Sequence, residues 1–289
     1  MRIDVTGLTK TYKGGVRALD DLTLTIPTGM YGLLGANGAG KTTLLRILAG
    51  LLHPTEGRVV IGGHDVTTQE GKPAVQRKLG YLPQNLGVYP DLTARAFLDY
   101  IALLKGLHNR SGRRRRVTEL LEVVALTDAA DRRLKGFSGG MLRRVGIAQA
   151  LLADPELLIV DEPTTGLDPE ERIRFRTLLS RLAGDRTVLL STHIVDDVAQ
   201  TCRTLAVLAN GRLAFQGSVT DLVSVANGRV WTVTTNGPPP TEGRVVSALP
   251  EAAGMRYRVV SRQSPDLSAK PAEPTLEDGY LALMDQVPV

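Results

Sequence analysis

The chain contains one cysteine, Cys202, in 289 residues. A lone thiol forms no internal disulfide and cannot by itself build a tetrahedral zinc site, so a stapled fold is excluded and a reducing compartment is expected. Cys202 reads as a small core residue. No apolar run approaches the roughly 18 residues that a membrane helix needs, so the chain is not expected to span a bilayer. Its opening, Met1-Arg2-Ile3-Asp4, moves directly into alternating apolar and polar residues and lacks the apolar stretch of a secretory signal, which points to the cytosol. Charge of one sign is also scarce: 35 Lys/Arg stand against 30 Asp/Glu, a net +5 that does not by itself indicate a nucleic-acid binder. The excess is local, with 11 basic and 4 acidic residues between Lys105 and Arg144.

What is present is ordinary globular material, 43% hydrophobic and 22% charged, enough for one large domain or two modest ones. Ile3 and Val5, then Leu22, Leu24 and Ile26, alternate with polar residues as half-buried strands do. Met30 to Leu34 reads as a buried strand. It feeds a Gly-rich loop and then a helical stretch from Thr43 to Leu52 with Leu44, Ile47, Leu48 and Leu51 on one face. Leu157 to Val160 and Val188 to Ser191 are short aliphatic runs between helical patterns, the signature of parallel strands. The fold class is α/β. Asn210-Gly211, between strand-like runs from Thr204 to Phe215, predicts a hairpin. Beyond residue 220 the composition shifts, and eight of the 16 prolines lie between Pro238 and Pro288. Val230 to Thr234 and Tyr257 to Val260 still alternate, and Leu276, Tyr280, Leu283 and Met284 form a helical stripe opened by Thr275 and Asp278. These features predict a small appended domain over 220–289, after a main domain over 1–219.

The segment Gly35-Ala36-Asn37-Gly38-Ala39-Gly40-Lys41-Thr42-Thr43 fits the phosphate-binding loop at every fixed position. Its glycines let successive N–H groups turn inward, the following helix offers its positive end, Lys41 can reach the outer phosphates, and the Thr42 hydroxyl can ligate Mg²⁺. A second site is Leu157-Leu158-Ile159-Val160-Asp161-Glu162, an aliphatic strand ending in two acids at the edge where open α/β sheets bind ligands. Two acids there also suit a turn and helix cap. Beside a phosphate loop they suit chemistry: Asp161 for Mg²⁺, Glu162 to polarise an attacking water.

With Phe137-Ser138-Gly139-Gly140-Met141 preceding the acid pair, the chain resembles the ATPase subunits of ABC transporters. The resemblance covers roughly residues 2 to 217 and implies a P-loop ATPase domain with an antiparallel N-terminal β-subdomain and a helical subdomain at about 85–150, followed here by a small α+β accessory domain. It implies that Tyr12 stacks on adenine, that Gln84 is the Q-loop glutamine, with catalytic and Mg²⁺-binding roles, that Gly166-Leu167-Asp168 forms the D-loop, and that His193 is the switch histidine. Each has a plainer alternative: a strand-end aromatic, a strand end, a structural histidine, and for Asp168 before Pro169 a helix start. Met141 departs from the family's usual glutamine, a change similar to an exporter variant, with Ser138 and both glycines intact.

The resemblance further implies ATP and Mg²⁺ as ligands, and ATP enclosed head to tail between two ATPase subunits, a homodimer being expected. Ser138, Gly139 and Gly140 of one chain would then hold the γ-phosphate bound to the other. It implies a separate transmembrane permease and peripheral contact with the inner membrane face, with no nucleic acid expected. The block Arg113 to Arg116, with Arg110 nearby, is either a solvated helix face or a functional surface facing lipid headgroups or acidic loops. The segment Pro274 to Leu283 is similar to the tail of ABC-2 type drug and polymer exporters, which favours export. The rival readings are an ABC ATPase acting on ribosomes or nucleic acid, and an importer ATPase with a regulatory tail.

Overall fold

A computed structural model of the chain describes residues 1–252 and 254–287. Strand β1 (Ile3–Thr11) pairs antiparallel with β2 (Arg17–Ile26), Ile3 opposite Ile26 and Val5 opposite Leu24. The alternation seen in the sequence turns Ile3, Val5, Leu22, Leu24 and Ile26 inward. β3 (Met30–Leu34) enters a second sheet and leads through the Gly-rich loop to α1 (Lys41–Leu48). This helix is shorter than its apolar pattern predicts. The amides of Ala49, Gly50 and Leu51 cap the last turn by bonding back to Leu45, Ile47 and Arg46, which leaves Leu51 61% exposed instead of on the buried face. β4 (Glu56–Ile61) then joins the other side of β1, and β5 (His64–Asp65) completes a four-stranded antiparallel sheet in the order β2-β1-β4-β5. A short helix, α2 (Gly71–Arg77), precedes β6 (Leu79–Leu82).

Three helices follow, α3 (Ala94–Leu104), α4 (Arg110–Val123) and α5 (Gly139–Leu151), each started by a side chain that accepts a backbone N–H: Thr93, Asn109 and Ser138. They bury Phe97, Leu98, Val117, Leu120, Leu121 and Val145 against one another. Two arginines of the block at the start of α4 fit neither expectation, because they are spent on contacts within the helical layer. Arg113 is bidentate to Asp99 at 2.7 and 3.2 Å, and Arg116 donates at 2.8 Å to the Leu151 carbonyl at the end of α5. Arg110, Arg114 and Arg115 are exposed.

The chain then alternates strand and helix: β7 (Leu157–Asp161), α6 (Pro169–Leu182), β8 (Thr187–Thr192), α7 (Val195–Thr201) and β9 (Thr204–Ala209), with β10 (Arg212–Ser218) returning antiparallel across a tight turn. Both turn residues are left-handed, Asn210 at φ 50° and Gly211 at φ 77°, as the twist of a two-residue hairpin requires. The second sheet runs β10-β9-β3-β8-β7-β6, parallel except for β10. Every residue of β7 and β8 is buried, so each aliphatic side chain there contributes roughly 1.5–3 kcal/mol relative to exposure. The register sets Leu34 beside Thr192 and Asp161 beside Ser191. The phosphate loop, the acid pair and His193 therefore leave the sheet together, from the carboxyl ends of three neighbouring strands.

After α8 (Val219–Ser224), β11 (Val230–Thr235), β12 (Arg244–Glu251), β13 (Gly254–Val260) and β14 (Lys270–Pro271) make a third, antiparallel sheet in the order β12-β13-β11-β14. The last helix, α9 (Leu276–Met284), opens with a capping box between Thr275 and Asp278. Leu276 and Leu283 of α9, with Leu222 of α8, lie in the same core as Val198, Cys202 and Leu205. Burial raises the Cys202 thiol to about 11, as befits an inert packing residue.

Candidate nucleotide site

The loop between β3 and α1 shapes a cleft of about 330 Å³ lined by Asn37, Gly38, Ala39, Gly40, Lys41 and Thr42, with Thr43, Gln84 and Glu162 also on its wall. Gly40 has φ 99°, and a Cβ there would run into the Ala18 carbonyl, so only glycine lets the loop close onto the helix start. Lys41 is only 5% exposed. Its ammonium donates to the carbonyls of Gly35 at 2.6 Å and Ala36 at 3.1 Å, and stands 3.3 Å from Glu162 Oε1.

Thr42 Oγ1 donates to Asp161 Oδ2 at 2.9 Å. Asp161 is completely buried, and burial, against that hydrogen bond, pushes its carboxyl above the usual carboxylate range. Among the described residues Asp161 Oδ1 has no hydrogen-bond partner. A hydroxyl and a desolvated carboxylate with a free buried oxygen make a hard-donor set suited to Mg²⁺, which uses one or two protein ligands and takes the rest from phosphate and water.

Glu162 follows in a left-handed backbone conformation, φ 49°, its amide bonded to the Ser191 carbonyl at 2.9 Å. Glu162 Oε2 meets His193 Nδ1 at 2.7 Å and accepts from Thr165 Oγ1 at 3.2 Å. Tyr12 is 38% exposed, with its hydroxyl 3.3 Å from Thr43 Oγ1 and the Lys10 ammonium 5.6 Å from its ring centre. The carbonyl of Gln84 is held by Arg143 of α5. Ser138 and Asp168 stand apart from the cleft as the N-caps of α5 and α6, accepting from Met141 N at 3.2 Å and Glu171 N at 2.9 Å. Ser138 and Gly139 are exposed at the start of their helix and Gly140 is buried.

The structure thus gathers Asn37 to Thr43, Gln84, Asp161, Glu162 and His193, and leaves the Ser138–Gly140 and Asp168 loops on separate helix starts. A phosphate loop, an acid pair and a Ser-Gly-Gly helix start in one chain narrow the choice of family, and the ABC transporter family model matches residues 19–165. The chain belongs to that family. The activity that goes with membership is ATP hydrolysis. The ATPase is 41% identical over 224 residues to the daunorubicin/doxorubicin resistance ATP-binding protein DrrA of Streptomyces peucetius, covering 77% of this chain and 67% of that protein. It is 39% identical over 214 residues to the bacitracin transport ATP-binding protein BcrA of Bacillus licheniformis, covering 73% and 68%. The chain spans about two thirds of the length of the curated relatives it matches. Among solved structures it resembles the dimeric post-hydrolysis state of the ATP-binding cassette MJ0796 bound to ADP and Pi, at 28% identity and TM-score 0.68, over 75% of this chain and 98% of that one.

Sequence reading missed Thr165, which bonds Glu162, and Arg143, which holds the Gln84 backbone. Two threonines just beyond the acid pair, after Pro163, were a usable signal for the first. Nothing in the sequence ties Arg143 to Gln84, since they meet only when α5 packs beside β6.

Proposed function

We propose that this chain is the ATP-hydrolysing engine of an exporter, working as a pair of ATPase subunits on a separate permease. The observation that carries the reading is the meeting of Lys41, Thr42, Asp161, Glu162 and His193 at one edge of the parallel sheet. Backbone N–H groups of Gly38 to Thr43 and the positive end of α1 hold the phosphates, Lys41 turns from its loop carbonyls to the outer phosphates, and Tyr12 stacks on adenine. Thr42, Asp161 and Gln84 are the residues that would hold Mg²⁺, which when bound spreads the negative charge of the transferring phosphoryl group. Glu162 orients and deprotonates the attacking water, and His193 fixes the Glu162 carboxylate while facing the γ-phosphate.

Each motif occurs once per chain, so the exposed start of α5, with Ser138, Gly139 and Gly140, closes the site of a second copy, and Asp168 lies at the same seam. The dimeric state of the MJ0796 cassette supports that arrangement. The permease seat is the largely apolar groove of about 390 Å³ lined by Tyr89, Pro90, Asp91, Leu92 and Tyr100. Its position supports coupling, because Gln84 on the cleft wall and Tyr89 in the groove belong to one short loop. No helix among the described residues is long and apolar enough to cross a membrane. We place the ATPase at the cytoplasmic membrane face, with 1–219 as catalytic domain and 220–289 as accessory domain sharing its α9 with the catalytic core.

Export rather than import is favoured by the resistance and transport proteins among the relatives. The test is to co-express the ATPase with the membrane protein that co-purifies with it and follow cargo in inverted vesicles. ATP-dependent accumulation inside them supports export. Movement in the other direction, dependent on a solute-binding protein, would make it an importer.

A further inference from the structure

Asp197, in the first turn of α7, is completely buried, and no side-chain hydrogen bond among the described residues joins it to the phosphate loop. Its carboxylate nevertheless joins the two loops that carry the proposed chemistry. Oδ2 accepts a hydrogen bond from Thr164 Oγ1, and Thr192 Oγ1 reaches the same oxygen at 3.5 Å. Thr164 is the second residue after Glu162. Thr192 is the residue before His193, and its hydroxyl also accepts from the Ile194 amide at 3.0 Å. The other oxygen, Oδ1, lies 3.5 Å from Arg176 Nη1, and Arg176, a residue only 9% exposed, also meets Asp196 at 3.3 Å. One buried charge pair, carried on α6 and α7, thus anchors the acid loop from behind and the histidine loop from the side.

We propose that Asp197 is a positioning residue for ATP hydrolysis: through Thr164 and Thr192 it fixes Glu162 relative to His193. The inference rests on Glu162 being the group that activates water. The physical case begins with Glu162 itself, whose left-handed backbone persists only if its surroundings over-determine it. Its amide is held by Ser191 O and its carboxylate by Thr165 and His193, while Thr164 between these anchors is pinned by Asp197. Without the pin the Pro163–Thr165 turn is held only at its ends, and the 2.7 Å approach of Glu162 to His193 is less tightly fixed. A buried ion pair adds little net stability over apolar side chains of the same volume, because desolvation offsets the attraction. Geometry is the gain that accounts for a charge placed there, since misplacing a catalytic group by about 1 Å costs about a hundredfold in rate.

Asp197→Asn would alter the Arg176 charge pair as well as the threonine contacts, so the test uses the hydroxyl arms. Thr164→Val is isosteric and leaves the Asp197–Arg176 pair in place; Thr164→Ser keeps the donor. The account expects kcat of full-length Thr164→Val to fall about tenfold to a hundredfold, with KM for ATP and the unfolding midpoint little changed. Thr164→Ser should recover most of the rate, and Thr192→Val should show a smaller loss of the same kind. If the arms act through Glu162, then in a Glu162→Gln background Thr164→Val should cost nothing further, because the group it positions is already disabled. Full activity in both valine variants would overturn the proposal, as would a loss of equal size in the Glu162→Gln background. A Thr164→Val protein that fails to fold shifts the decision to Thr192→Val in the same two backgrounds. Glu162→Gln alone retaining its turnover would instead refute the role of Glu162, a separate failure.

Discussion

His193 Nδ1 stands 2.7 Å from Glu162 Oε2, and the two residues come from the ends of strands that are neighbours in the parallel sheet. The contact makes the histidine an orienting partner of the acid as well as a candidate phosphate ligand. Replacing His193 by alanine should therefore slow turnover by about a hundredfold to ten-thousandfold, in the range expected for loss of a positioned acid–base group, while MgATP binding changes little. Paired measurements of nucleotide affinity and kcat decide it; a matching loss in both would reduce His193 to a binding residue.

The parts of this site that could be read in advance are those written in adjacent residues. The phosphate loop, the acid pair closing an aliphatic run, the Asn210-Gly211 hairpin and the Thr275–Asp278 cap each lie within one short window, so local sterics and hydrogen bonding specify them. The parts that stayed hidden are pairings across the chain. Asp197 with Thr164, Arg143 with Gln84 and Arg113 with Asp99 meet only after the helices pack, and no periodicity marks them. β12 escaped notice for another reason: it is an exposed edge strand, with little inward-facing alternation to betray it. Leu51 misled because an apolar residue in helical phase says nothing about where the backbone caps.

Gly140 makes a second prediction. A Cβ added there would lie 2.5 Å from Glu171 Oε2, and that carboxylate is held by Arg144 at 3.4 Å and Arg174 at 3.2 Å. Gly140→Ala should displace Glu171 and loosen α5 from α6, while the alanine regains about 1 kcal/mol of helix propensity. The unfolding midpoint should thus move little. ATP-dependent pairing and turnover should fall, by about tenfold or more, because the proposed pairing surface at that helix start is narrowed and re-aimed. Calorimetry together with steady-state turnover separates the two effects.

The accessory sheet is tied to α9 by Arg258 and Asp278, 2.6 Å apart with Asp278 fully buried. Burial raises the pKa of that carboxyl, but the hydrogen bonds from Arg258 and Thr275 together outweigh it and hold the value below the usual range. The stabilisation is therefore present above the unfolded pKa of about 4 and is lost as pH falls through the lower folded value. Asp278→Asn should cost about 3–5 kcal/mol near neutral pH by leaving Arg258 without its partner. The difference from the parent should shrink below about pH 4. Urea unfolding across pH 3 to 7 measures it; a difference independent of pH would show that the pair does not carry the stability.

The central claim is that Glu162 activates water in a site completed by Ser138 of a second chain. The most direct measurement is light scattering on Glu162→Gln protein with and without MgATP, alongside its turnover. The account predicts a stable ATP-dependent dimer, hydrolysis slowed by about a hundredfold or more, and loss of that dimer when Ser138→Arg is added. A protein that stays monomeric at saturating MgATP, with or without its permease, and turns over at the parent rate would contradict it.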